Sequence, residues 1–125
     1  MVKLFADTYA LVEILKGNPA YEKYSQKELI SPEFNIFELA YAMYRDFGRT
    51  DSINILSFLR SRIEVISPED LDYLEASRFR LSNNKKGKKL SLIDSLGYIC
   101  SKRLKIRFLT GDREFKDIEE VEYIK

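Results

Sequence analysis

The chain has 125 residues, 45% of them apolar, and its 21 basic side chains nearly balance 20 acidic ones. That is ordinary globular composition with room for one core, so 1–125 reads as a single domain, and bulk charge is silent on a nucleic-acid partner. There is no histidine, which removes Ser-His-Asp and Cys-His nucleophile systems and most catalytic zinc sites. Hydrolytic chemistry here must run on carboxylates, which favour hard cations. The lone Cys100 cannot form an internal disulfide and falls on an apolar helix face, as expected of a filler in a reducing cytoplasm. No stretch reaches the roughly 18–20 apolar residues of a membrane span. The first apolar run is too short for a signal peptide, since Asp7 interrupts it.

Val2 to Ala6 reads as a short strand ended by Asp7-Thr8. Tyr9 to Lys16 has helical spacing and stops at Gly17-Asn18-Pro19. A short helix over Ala20–Gln26 and a brief strand over Glu28–Ile30 follow. Ser31-Pro32-Glu33 has the form of a helix start, with a cap and then proline in the first helical position. That helix is expected to run to Phe47, close at Gly48, and turn Phe34, Phe37 and Tyr41 inward. Thr50 or Asp51 caps the next helix, and Ile63–Ile66 reads as a strand. Ser67-Pro68-Glu69-Asp70 opens a further helix to Leu81, and Asn83 to Lys89 is a basic loop.

Ser91-Leu92-Ile93-Asp94 fits a capping box, behind which Ile93, Leu96, Gly97, Cys100 and Leu104 mark one apolar face. Ile106 to Leu109 is a strand ended by Thr110-Gly111-Asp112, and Val121 to Ile124 a final edge strand. Strands separated by helices, with no Asn-Gly or Asp-Gly hairpin signal, imply parallel pairing. The expected architecture is a three-layer α/β/α sandwich around a central, mainly parallel sheet.

In such folds a carboxylate at the carboxyl end of a strand stands where ligands bind. Asp7 and Asp112 both occupy that position, although Asp7 also reads as an N-cap and Asp112 as a turn residue. Asp94 reads as a ligand or as the third-position acid of its box. Glu38 falls among Phe34, Phe37 and Tyr41, so an inward carboxylate would need a cation or an arginine partner. Asp117 reads as a peripheral ligand or a solvated acid, and Glu69, Asp70, Asp72 and Glu75 as first-turn and surface charges. Several carboxylates at one sheet edge would repel one another unless a divalent cation joined them, and an all-oxygen set favours Mg2+ or Mn2+.

With these residues in place the whole chain resembles the PIN-domain ribonucleases, in particular the VapC-type toxins of toxin–antitoxin pairs. The resemblance is carried by the opening strand ending Asp7-Thr8, by Ile36-Phe37-Glu38-Leu39, by Ser91-Leu92-Ile93-Asp94, and by Thr110-Gly111-Asp112-Arg113-Glu114-Phe115. It implies a PIN-like fold and metal-dependent hydrolysis of RNA phosphodiesters by an acidic quartet of Asp7, Glu38, Asp94 and Asp112. Asp7, Asp94 and Asp112 would touch Mg2+ or Mn2+, and Glu38 would act through water or as a base. Thr8, Thr110 and Asp117 match accessory positions. A homodimer and a small antitoxin partner are also implied. Lys85, Lys86, Lys88 and Lys89, just before the helix of Asp94, would attract RNA phosphates or form a solvated loop.

Two other readings compete. A haloacid-dehalogenase-like phosphatase also begins with a strand-end aspartate and ends with a Gly-Asp motif and a later acid, as in Gly111-Asp112 and Asp117. Here Tyr9 stands where its second aspartate belongs. The other is a PIN-like scaffold that binds RNA or protein without cutting.

Overall fold

The computed structural model describes residues 3–125. Its sheet has five strands, β1 (Lys3–Ala6), β2 (Glu28–Pro32), β3 (Ile63–Ile66), β4 (Arg107–Thr110) and β5 (Val121–Tyr123). They lie in the order β3-β2-β1-β4-β5, and every pairing is parallel. Val2, expected in the first strand, lies outside the described residues. The helices are α1 (Thr8–Leu15), α2 (Glu33–Arg62), α3 (Asp70–Lys85) and α4 (Leu92–Leu104), with 3-10 turns at Pro19–Tyr24 and Arg113–Phe115.

Alternation along the strands divides the apolar residues between two faces. Leu4, Ala6, Leu29 and Leu109 pack with Leu11, Tyr21, Ile36, Leu39, Met43 and Leu59 on the side covered by α1, α2 and the first 3-10 turn. Phe5, Ile30 and Phe108 point the other way, against Ala76, Leu96, Tyr98 and Cys100 of α3 and α4. Layers on both faces are what an all-parallel sheet requires, and the expected α/β/α sandwich is present. Gly97 makes the second layer tight: a β-carbon there would stand 3.1 Å from the Phe108 ring and 3.4 Å from that of Phe5. Cys100 is fully buried, and burial, reinforced by nearby Asp72, pushes its thiol up to about 12. It stays a neutral filler.

Several local expectations are corrected. Ser31 ends in β2 and donates to the Ala6 carbonyl at 2.9 Å, so α2 begins without a side-chain cap. The break expected at Gly48 is present, at φ 78°, but the helical stretches on either side of it run together across the kink as α2. The buried stripe of α2 is Asn35, Ile36, Leu39 and Met43. Phe37 and Tyr41 are instead 75% and 68% exposed, and Phe34 39%. Both sets repeat at three- and four-residue spacing, and at about 100° per residue they lie on nearly opposite sides; the face that meets the sheet won over the one with larger rings.

Downstream, α3 starts at Asp70 behind a capping box of Glu69 and Asp72, later than Ser67-Pro68 suggested, and absorbs the first half of the basic loop. Asp72, expected as a surface charge, is 3% exposed and paired with Arg103 of α4. Leu104, expected on the inner face of α4, is exposed, whereas Tyr98 is buried. Among the described residues no helix is long and apolar enough to cross a membrane.

Candidate active site

The strand order places a natural crevice between β1 and β4. The chain runs outward from β1 to β2 and β3, then crosses to start again at β4 on the other side, so the two strands diverge into their following helices. The register pairs Ala6 with Leu109, which sets Asp7 and Thr110 side by side at the carboxyl edge. The Thr110 hydroxyl donates to Asp7 Oδ2 in a short hydrogen bond and accepts from the Asp112 N–H at 3.0 Å. One threonine thus fixes both strand-end acids.

Asp7 also caps α1, its Oδ1 accepting from Ala10 N–H at 2.8 Å. The capping and site readings of Asp7 are compatible: both oxygens are held, yet the carboxylate faces the crevice. Asp112 Oδ1 accepts from Glu114 N–H at 3.0 Å and starts the second 3-10 turn. Gly111 is required between them, because a β-carbon there would stand 2.6 Å from Tyr9 Cδ1 and 2.7 Å from the Ile124 carbonyl oxygen. Asp94 sits in the first turn of α4, where Ser91 Oγ accepts from its N–H at 3.0 Å. Glu38 reaches in from α2, and its Oε1 accepts from the Thr8 hydroxyl at 2.7 Å. Thr8 is held in turn by buried Asn35, whose Nδ2 donates to it at 2.9 Å.

Asp7, Glu38, Asp94 and Asp112 line one cavity of about 800 Å3, together with Thr8, Phe37, Tyr41 and Arg113; binding sites for small ligands are of this size. Burial, opposed by the Thr110 and Ala10 hydrogen bonds and assisted by the charges of Asp94 and Asp112, pushes Asp7 up to about 7. Burial, opposed by Ser91 and assisted by Glu38 and Asp112, pushes Asp94 up to about 6. Asp7 and Asp94 therefore feel their acidic neighbours. None of the four has a basic partner within ion-pair distance among the described residues.

An uncompensated all-oxygen donor set without histidine fits a hard divalent cation in chemistry. The acids are not pre-gathered, however: among the described residues no three carboxylate or thiol groups already form a metal-binding cluster. The convergence expected from the sequence is a shared cavity rather than a ready-made cage.

Of the accessory residues, Thr8 and Thr110 hold site carboxylates, whereas Asp117 is exposed and does not line the cavity. Lys85, Lys86, Lys88 and Lys89 do not line it either. Lys85 and Lys86 border a separate groove, and Lys88 Nζ donates to the Glu114 carbonyl at 2.9 Å. Sequence reasoning missed Asn35 and Arg113. Asn35 follows the Ser31-Pro32-Glu33 start without a reading of its own, and only its three-residue spacing from Glu38 hinted at a shared purpose; Arg113 stood within the Thr110–Phe115 motif without a role.

A parallel five-stranded sheet covered on both faces, with acids at its switch point, defines an α/β domain of the kind that places ligands at this edge. The PIN domain family model matches residues 4–121, and the chain belongs to that family. This sets aside the phosphatase alternative. No curated protein matches the sequence. Among solved structures it is similar to Mycobacterium tuberculosis VapC20, a sarcin-ricin loop cleaving toxin, at 14% identity and TM-score 0.78 over 98% of this chain and 99% of that one. VapBC-1 of nontypeable Haemophilus influenzae is similar at 19% identity and TM-score 0.78, over 99% and 98% of the two chains. A DNA-bound VapBC from Salmonella typhimurium gives 16% identity and TM-score 0.77, again over 99% and 98%. At these identities the likeness is one of fold.

Proposed function

We propose that residues 1–125 act as one PIN domain, a metal-dependent endoribonuclease and the toxin of a toxin–antitoxin pair in the cytoplasm. The observation that carries this reading is that Asp7, Glu38, Asp94 and Asp112, from four separate elements, line one cavity with no basic partner among the described residues. The likeness to VapC20, a sarcin-ricin loop cleaving toxin, and to VapBC complexes supports an RNA substrate and a small antitoxin partner. A homodimer is part of the same reading.

Asp7, Asp94 and Asp112 would hold Mg2+ or Mn2+. When bound, such an ion polarises a phosphoryl oxygen and makes water a stronger nucleophile. The remaining work falls to the chain. Thr110 fixes Asp7 and the backbone of Asp112, so the two acids keep their spacing when RNA enters. Thr8 occupies Glu38 Oε1, which leaves Oε2 to take the proton of the attacking water. Asn35 holds Thr8 in the orientation that serves Glu38. Arg113, at the cavity wall, offers positive charge to the phosphate.

The test is cleavage of a mixed RNA pool with Mg2+ and with EDTA, by the wild type and by Asp94→Asn. Cleavage that needs Mg2+ and disappears in a folded Asp94→Asn supports the reading. Metal-independent binding without cleavage, unchanged by Asp94→Asn, would favour the scaffold instead.

A further inference from the structure

Phe37, Tyr41 and Tyr44 leave the fold unexplained: they are 75%, 68% and 63% exposed on one side of α2, turned away from the sheet. A large ring in water has forgone the burial that stabilises folded chains, so a contiguous run of such rings marks a binding surface. Its position says for what. Phe37 and Tyr41 are one helical turn apart on either side of Glu38, and both line the cavity that holds the acids. Anything lying on these rings is within reach of Glu38.

We propose that Phe37 and Tyr41 are a stacking wall for unpaired bases of the substrate strand, with Arg113 seating the adjoining phosphate; this rests on the nuclease reading above. Rings displayed on a convex helix can meet base faces only where the bases have left a duplex stack, so the wall selects single-stranded or looped RNA. Charge placement agrees. Arg113 lines the same cavity and has no carboxylate within ion-pair distance among the described residues. The Arg45 guanidinium lies 5.8 Å from the Tyr41 ring centre but is paired with Asp46 at 2.9 Å, so it adds a cation–ring contact there and leaves Arg113 as the charge for the phosphate. The acids repel a phosphate, and the wall supplies attraction that does not depend on charge.

The experiment measures binding of fluorescein-labelled single-stranded RNA and of a matched RNA duplex by anisotropy. It is run in Mg2+ with the full chain carrying Asp94→Asn to suppress cleavage. Phe37→Leu/Tyr41→Leu keeps apolar bulk and removes the π faces; Phe37→Trp/Tyr41→Trp enlarges them. We expect the leucine pair to weaken single-strand binding about tenfold for each ring lost, the tryptophan pair to bind at least as tightly as the parent, and duplex binding to be unaffected. Unchanged single-strand affinity in the leucine pair overturns the proposal, as does an equal loss for duplex. So does a leucine pair that alters only self-association in sedimentation, which would assign the rings to a protein contact. A wild type that neither binds nor cuts RNA removes the nuclease reading and the wall together. A wild type that cuts RNA while the leucine pair keeps full affinity removes the wall alone.

Discussion

Replacing Arg103 by methionine tests how the two helices of the second layer are tied. Arg103 Nε lies 2.9 and 3.1 Å from the two Asp72 oxygens, and Nη2 lies 2.9 Å from Oδ2. Asp72 retains 3% of its side-chain surface and Arg103 34%. Orphaning a fully buried charge costs about 3–5 kcal/mol; with one partner a third exposed, about 2–3 kcal/mol is the reasonable loss. Burial raises the Asp72 pKa, but hydrogen bonds from Arg103 and from the Glu69 N–H outweigh it, and the native value falls below the ordinary one. The pair therefore stabilises the fold fully above the unfolded pKa of about 3.9, and that stability is lost as pH falls through the lower native pKa. In Arg103→Met burial is opposed only by the Glu69 backbone bond and the Cys100 side chain, so protonation should relieve the variant. Urea unfolding followed by circular dichroism should show the gap at pH 7 narrowing as acid is added below about pH 4. A gap under about 0.5 kcal/mol at pH 7, or the same gap at both ends, would refute the reasoning.

Gly111→Ala should destabilise by about 1–3 kcal/mol and slow RNA cleavage more than the stability loss explains. Its β-carbon meets the Ile124 carbonyl, which cannot rotate away, and the strain passes to Asp112; wild-type cleavage in this variant would contradict that. Gly97→Ala should cost about 1–2 kcal/mol in chemical unfolding, because the Phe108 ring 3.1 Å away must give ground. Alanine at Lys85, Lys86, Lys88 and Lys89 should weaken RNA binding and flatten its dependence on salt, and an unchanged slope would leave these residues a solvated segment.

The strands were legible because each combined a short apolar run with a breaker, and Asp7 and Asp112 could be placed from those ends alone. Parallel pairing followed from helical spacers, and the sheet order then made the two acids neighbours. Glu38 reached the cavity for a reason other than the one expected. The aromatic stripe invoked to bury it faces outward, and Glu38 enters from the flank through Thr8. Period alone cannot tell which of two stripes on a helix meets the sheet; that depends on the partner strands. Asp72 was misread because only the close packing of α3 on α4 brings Arg103 to it from 31 residues away. The break at Gly48 was legible as a helix stop, whereas α3 starts at Asp70 because the local box of Glu69 and Asp72 prevails over the Ser67-Pro68 signal.

The central claim is that the four acids form a seat for a divalent cation. Titrating Mn2+ into metal-free protein, with free ion read by electron paramagnetic resonance, tests it without any RNA. Saturable uptake by the wild type, reduced at least tenfold in folded Asp94→Asn, is the result expected here. No uptake, or equal uptake by the variant, would contradict it.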